Sequence, residues 1–175
     1  MNELVGMRSV RTRHRLVAVG LVLVSVLGLD AHAGDQFQRV ESSIVGEYLV
    51  SDSRTNLVWQ GCHAGLTGGS CSTGTELRLS WEAALAYCED LTWAGTSTWR
   101  LPDIKELRSI VEERRTNPSV DLAFFPATPA MPFWASTTNP VDSMGAWDVL
   151  FLHGRARGNS HKLNTSRVRC VRPGP

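Results

Sequence analysis

Apolar and polar positions change period several times along the 175-residue chain, and each change marks an element. Leu16 to Leu29 is an apolar run of fourteen residues behind Arg8, Arg11, Arg13 and Arg15. Ala31-His32-Ala33 follows as a small-x-small cleavage pattern, so residues 1–33 read as a secretory signal peptide. The run falls short of the roughly 20 apolar residues of a membrane span, and no stable span is expected after cleavage. Residues 34–47 are polar and mixed and are expected to form a loose lead-in. Tyr48-Leu49-Val50 and Asn56-Leu57-Val58-Trp59 are short strand-type runs on either side of the turn residues Ser51 to Thr55. After a loop at 61–75 rich in Gly, Ser and Thr, Ser80 can cap a helix reaching about Leu91. Trp81, Ala84, Leu85, Cys88 and Leu91 share its apolar stripe.

The densest local signal is Trp99-Arg100-Leu101-Pro102-Asp103-Ile104-Lys105-Glu106-Leu107. Pro102 fixes its own φ and biases Leu101 towards extended geometry, so a strand should stop here. Asp103 and Glu106 have the spacing of a capping box, and Ile104, Leu107, Ile110 and Val111 fall on one helical face. The spacing predicts a helix to about Glu113, with Trp99 in the core and Arg100 in a structural ion pair. Residues 118–132, with four prolines and Phe124-Phe125, are expected to be a long loop packed by its aromatics. Residues 133–137 and 146–152 read as strands, with Trp147 packing its strand into the core. Residues 153–165 read as a basic polar loop or hairpin tip. Arg167 to Arg172 alternates strictly and predicts a half-buried final strand with Arg167 and Arg169 on one face. The whole is α+β: a compact single domain at 48–173, two helices packed on a small, mostly antiparallel sheet, disulfide-bonded.

Charge refines this picture through its distribution. Removing four arginines and two acids with the leader leaves 14 basic and 15 acidic residues in Gly34 to Pro175. A near-neutral total does not argue for nucleic acid, and an exported chain without aromatic interleaving is not expected to bind it. After Asp148, however, no acidic residue follows, whereas Arg155, Arg157, Lys162, Arg167, Arg169 and Arg172 do. Arginine can grip sulfate or phosphate bidentately, so Arg155, Arg157, Lys162 and Arg167 form the candidate polyanion patch. The alternative for this tail is a solvated face paired with acids elsewhere.

The four cysteines, Cys62, Cys71, Cys88 and Cys170, imply two disulfides in an exported chain, with three connectivities available. The favoured pairing is Cys62–Cys71, closing the glycine-rich loop, with Cys88–Cys170, tying the first helix to the last strand. The latter would restrict the unfolded chain by ~4 kcal/mol. Zinc is the alternative, although no CxxC or HxxxH pair is present. No HExxH, GxSxG, P-loop or GxGxxG occurs, and no enzyme activity and no cofactor is expected. His153 with Asp148 and a serine can be imagined as a triad, but any chain of this size offers such a combination. Asp148 and Asn164 offer isolated oxygen ligands for calcium rather than a clustered set.

The chain resembles the Lcl C-terminal domain family, named from the end domain of a bacterial collagen-like surface adhesin. The matching residues are Thr55 to Gln60, Ser80 to Ala84 with Tyr87-Cys88, and Trp99 to Pro102 through Glu106-Leu107. Further matches are Pro118 to Asp121, Phe125-Pro126, Phe133 to Ser136 and Val168 to Arg172. The resemblance implies a compact, C-type-lectin-like domain of an exported or surface protein, with Cys88 and Cys170 as the shared pair. It implies binding rather than catalysis, with sulfated glycosaminoglycans as the ligand class. One departure is Asn56, where the family has Gly; Asn tolerates the left-handed backbone, so the turn is expected to survive. Residues 1–47 hold no collagen-like repeat. The expected function is therefore a secreted noncatalytic module for an anionic glycan. An envelope protein–protein module contacting through the aromatic-rich 118–134 segment is the alternative.

Overall fold

The computed structural model describes residues 36–175, and the signal peptide read at 1–33 lies outside the described residues. Two antiparallel sheets carry the fold. The first is built from β1 (Phe37–Glu41), β2 (Tyr48–Asp52), β3 (Leu57–Gln60) and the C-terminal strand β9 (Val171–Pro173), in the order β1-β2-β3-β9. A two-residue-strand hairpin follows, β4 (Leu66–Thr67) with β5 (Thr73–Gly74), and then the helices α1 (Trp81–Glu89) and α2 (Ile104–Ser109). The second sheet is a meander of β6 (Pro132–Thr138), β7 (Gly145–Leu150) and β8 (Arg155–His161). The fold is thus mostly β, with two short helices rather than two helices covering one sheet.

Several elements differ from the sequence expectation for physical reasons. The lead-in contains β1, which pairs in register with β2 from Phe37↔Asp52 to Glu41↔Tyr48. It reads as loose because an edge strand buries little and needs no apolar alternation. Residues 155–161 are likewise a strand and not a loop tip, again at a sheet edge. Helix α2 ends at Ser109 instead of Glu113, with Ile110 leaving helical geometry as its cap and staying buried. The final segment is buried on both sides rather than half-buried: Arg167, Val168, Arg169, Cys170 and Val171 are all interior. It bridges the two sheets, with Gln60 N donating to Cys170 O and Ala64 N to Val168 O on one side. On the other, Trp134 N donates to Arg167 O and Arg167 N to Pro132 O.

The core is aromatic: Trp59, Trp134, Tyr48, Phe125, Phe133 and Phe151 are its largest fully buried apolar side chains, and Trp93 and Trp99 are nearly as deep. Phe133 meets Phe151 edge-on at 5.2 Å, a favoured aromatic geometry. Both favoured disulfides are formed, Cys62–Cys71 and Cys88–Cys170, which excludes a zinc role for these cysteines. Such bonds suit a chain that folds outside the reducing cytosol. Among the described residues, no helix is long and apolar enough to cross a membrane. Asn56 takes φ 53°, the left-handed geometry that its side chain tolerates.

Candidate functional site

The Trp99 stretch is a positioning device. Trp99 is buried, and Arg100 exchanges both backbone hydrogen bonds with Val171, which ties the turn to β9. Asp103 accepts from Lys105 N at 2.7 Å and Glu106 N at 2.8 Å, while the Glu106 carboxylate accepts from Asp103 N at 2.8 Å. Arg100 adds a bidentate grip on Glu106, 2.7 Å at each nitrogen. That hydrogen-bonded pair raises the Arg100 pKa and holds the Glu106 carboxyl below its usual range, against the opposing effect of partial burial. Pro102, buried, offers its carbonyl to Ser136 N of β6, and Ile104 N donates to Thr137 Oγ1. These contacts seat α2 against the second sheet, so that its exposed Lys105 and Arg108 reach towards β7 and β8.

There they meet Trp147. It is half-buried on β7 instead of wholly in the core, and its ring lies across Gly158 of β8. Two open grooves share Trp147 and Ala156. One, of about 370 Å³, is lined further by Ile104, Lys105 and Arg108. The other, of about 460 Å³, is lined by Leu150, His153, Arg155, Arg157, Gly158 and Asn159. Among the described residues, no carboxylate lines either groove. Arg157 is anchored from below by a bidentate pair with buried Asp148, at 2.8 and 2.7 Å, which raises its pKa; Ser160 donates to the same carboxylate. Arg155 is exposed. Among the described residues, Arg108 forms one ion pair, a loose one with Glu113 at 3.9 Å.

The four predicted patch residues are not brought together. Arg155 and Arg157 share the second groove, but Lys162 lies over the Trp81 ring, 4.2 Å from its centroid. Arg167 is buried, its Nε donating to Glu76 at 2.9 Å. Partial burial opposes ionisation of Glu76, but hydrogen bonds from Arg167 and Arg78 outweigh it and hold that carboxyl below its usual range. Arg169 is core. Its guanidinium donates to the carbonyls of Gln60 and Gly61 and to Thr128 Oγ1 and stacks on Phe125, and burial lowers its pKa to about 10. Lys105 and Arg108 were missed because they come from another element, and only the tertiary fold sets them beside Trp147 and Ala156. The exposed cations Lys105, Arg108 and Arg155 around a half-open Trp are an interleaving of aromatic and basic groups that the linear chain does not display.

Residues 48–172 match the Lcl C-terminal domain family. The chain belongs to that family. No curated protein matches it. Seen on this Lcl C-terminal domain, the imagined triad comes apart, since Asp148 is engaged by Arg157 and Ser160 while His153 is exposed in the turn between β7 and β8. Among the described residues, no three His, Cys, Asp or Glu side chains converge as metal ligands. The rings of the 118–134 segment point inward: Phe125, Phe133 and Trp134 are buried and Phe124 is half-buried. A protein contact there would have to use exposed Leu122 and Met131. A further cleft beside Gln36 gathers Arg54, Arg114 and Arg115, but Glu112 and Asp121 line it too and pair with the last two.

Proposed function

We propose that this Lcl C-terminal domain is an exported, noncatalytic binding module whose ligand is an anionic glycan, such as a sulfated glycosaminoglycan. The observation that carries the reading is the pair of grooves around Trp147, lined by the exposed cations Lys105, Arg108 and Arg155 and, among the described residues, by no carboxylate, Arg157 being already paired with Asp148. Clefts lined by one sign of charge concentrate ligands of the opposite sign, even where the total charge is near zero. Exposed Arg155, and Arg108 with its loose Glu113 contact released, can form bidentate pairs with sulfate or carboxylate, while Lys105 acts as a point charge. The C-type-lectin-like relation implied by the resemblance belongs to the same proposal.

Salt separates this reading from an envelope protein partner. Exposed charge–charge attraction is screened within about 8 Å at physiological ionic strength, whereas apolar contact is not. The mature domain, residues 34–175, is expected to bind immobilised heparin at low salt and to elute as salt rises. Absence of binding at low salt would contradict the proposal. Capture of an envelope protein that persists at high salt would favour the alternative.

A further inference from the structure

The grooves contain a feature that charge alone does not require. Gly158 sits in mid-strand without the positive φ that would call for glycine, so its backbone conformation is open to any residue. What it lacks is room: a Cβ at this position would lie 2.8 Å from two atoms of the Trp147 ring and 3.2 Å from a third. The glycine is therefore explained by the ring laid across it. Trp147 is braced from below by an edge strand, remains half-open, and forms the wall common to both grooves. Ile104 lines one groove with Lys105 and Arg108, and Leu150 lines the other with Arg155. Trp147 packs against the core and, unlike Trp59 and Trp134, keeps part of its ring open to the grooves.

We infer that Trp147 is a stacking platform for a pyranose ring of the ligand, with Gly158 as the residue that positions it. The inference rests on the proposed binding of an anionic glycan and makes it specific. The site reads a sugar ring at its centre and sulfate or carboxylate groups at its rim. A polyanion without rings uses only the rim.

The test compares two probes on one protein. A heparin-derived octasaccharide supplies rings and charge, and inorganic polyphosphate of matched charge supplies charge only. In Trp147→Met, which keeps apolar volume but removes the ring, octasaccharide affinity should fall about tenfold while polyphosphate affinity changes by less than twofold. Retained polyphosphate binding shows that the variant is folded and its rim intact. Gly158→Ala keeps the tryptophan but displaces it, and should show the same selective loss. Equal losses for both probes, or none for either, would overturn the stacking assignment while leaving polyanion binding standing. Failure of the unmodified domain to bind either probe would overturn both. Tighter binding of single-stranded DNA than of the octasaccharide would assign the platform to bases instead of sugars.

Discussion

Arg169 defines what a charge buried in this core requires. Its guanidinium satisfies the Gln60 and Gly61 carbonyls and the Thr128 hydroxyl while lying 4.9 Å from the Phe125 ring centroid. Arg169→Ala would leave the Gln60 carbonyl and the Thr128 oxygen buried without this donor, each costing about 1–3 kcal/mol, while the Gly61 carbonyl keeps the Tyr48 hydroxyl, so a loss of at least ~2 kcal/mol in urea unfolding is expected. His63 is the second buried polar residue with a consequence. Burial first, and then the nearby Arg169 charge, lower its pKa to about 4, although its Nε2 lies 3.3 Å from a Glu76 oxygen. The unfolded chain, with His63 near its ordinary value of 6.5, therefore takes up the proton first as pH falls. Stability from this group is complete above pH 6.5 and is lost as pH drops towards 4, by roughly 3 kcal/mol in all. Unfolding followed against pH should show that slope, and His63→Gln should remove it. A further loss below about pH 4.5 belongs to the depressed carboxyls of Glu76 and Glu106 and should persist in the variant.

At the scale of elements, what the chain spells locally is legible and what it spells through partners is not. The capping box of α2 and the Ser80 cap of α1 are written in adjacent residues and are present as read. Strand β8, Arg155–His161, has no apolar alternation because its burial is partial and its glycine answers to a ring on β7, so nothing local marks it as a strand. Strict alternation at Arg167 to Arg172 indicates one buried face, whereas this segment is covered from both sides as it crosses between the sheets. The disulfides link elements that sequence can only pair by inference. Cys88–Cys170 spans 82 residues and Cys62–Cys71 spans 9. From loop entropy, replacing the first pair by serine should cost about 4–5 kcal/mol and the second about 3 kcal/mol. Thermal unfolding of the two variants should rank them in that order, and the reverse ranking would mean that native packing rather than loop length governs.

For the whole molecule, the tail after Asp148 looks like one basic surface, but folding sorts its cations by depth. Arg169 goes to the core, Arg167 to Glu76, Lys162 to Trp81, and only Arg155 and Arg157 reach the groove. Helix α2 then supplies Ile104, Lys105 and Arg108 from roughly fifty residues earlier in sequence, positioned by the turn that precedes it. Arg155 was legible as a candidate because its charge has no nearby acid in sequence; Trp147 was not, because a half-open ring and a core ring look alike in one dimension. The decisive comparison is calorimetric titration of a heparin octasaccharide into the mature domain, a Lys105→Ala/Arg108→Ala/Arg155→Ala variant, and a control with Arg39, Arg78 and Arg172 changed to alanine. The control removes the same formal charge away from the Trp147 grooves. Loss of binding in the groove variant, with the control retaining it, is the expected result. Equal weakening in both would mean that the domain attracts polyanions by diffuse charge and that the grooves around Trp147 are not its site.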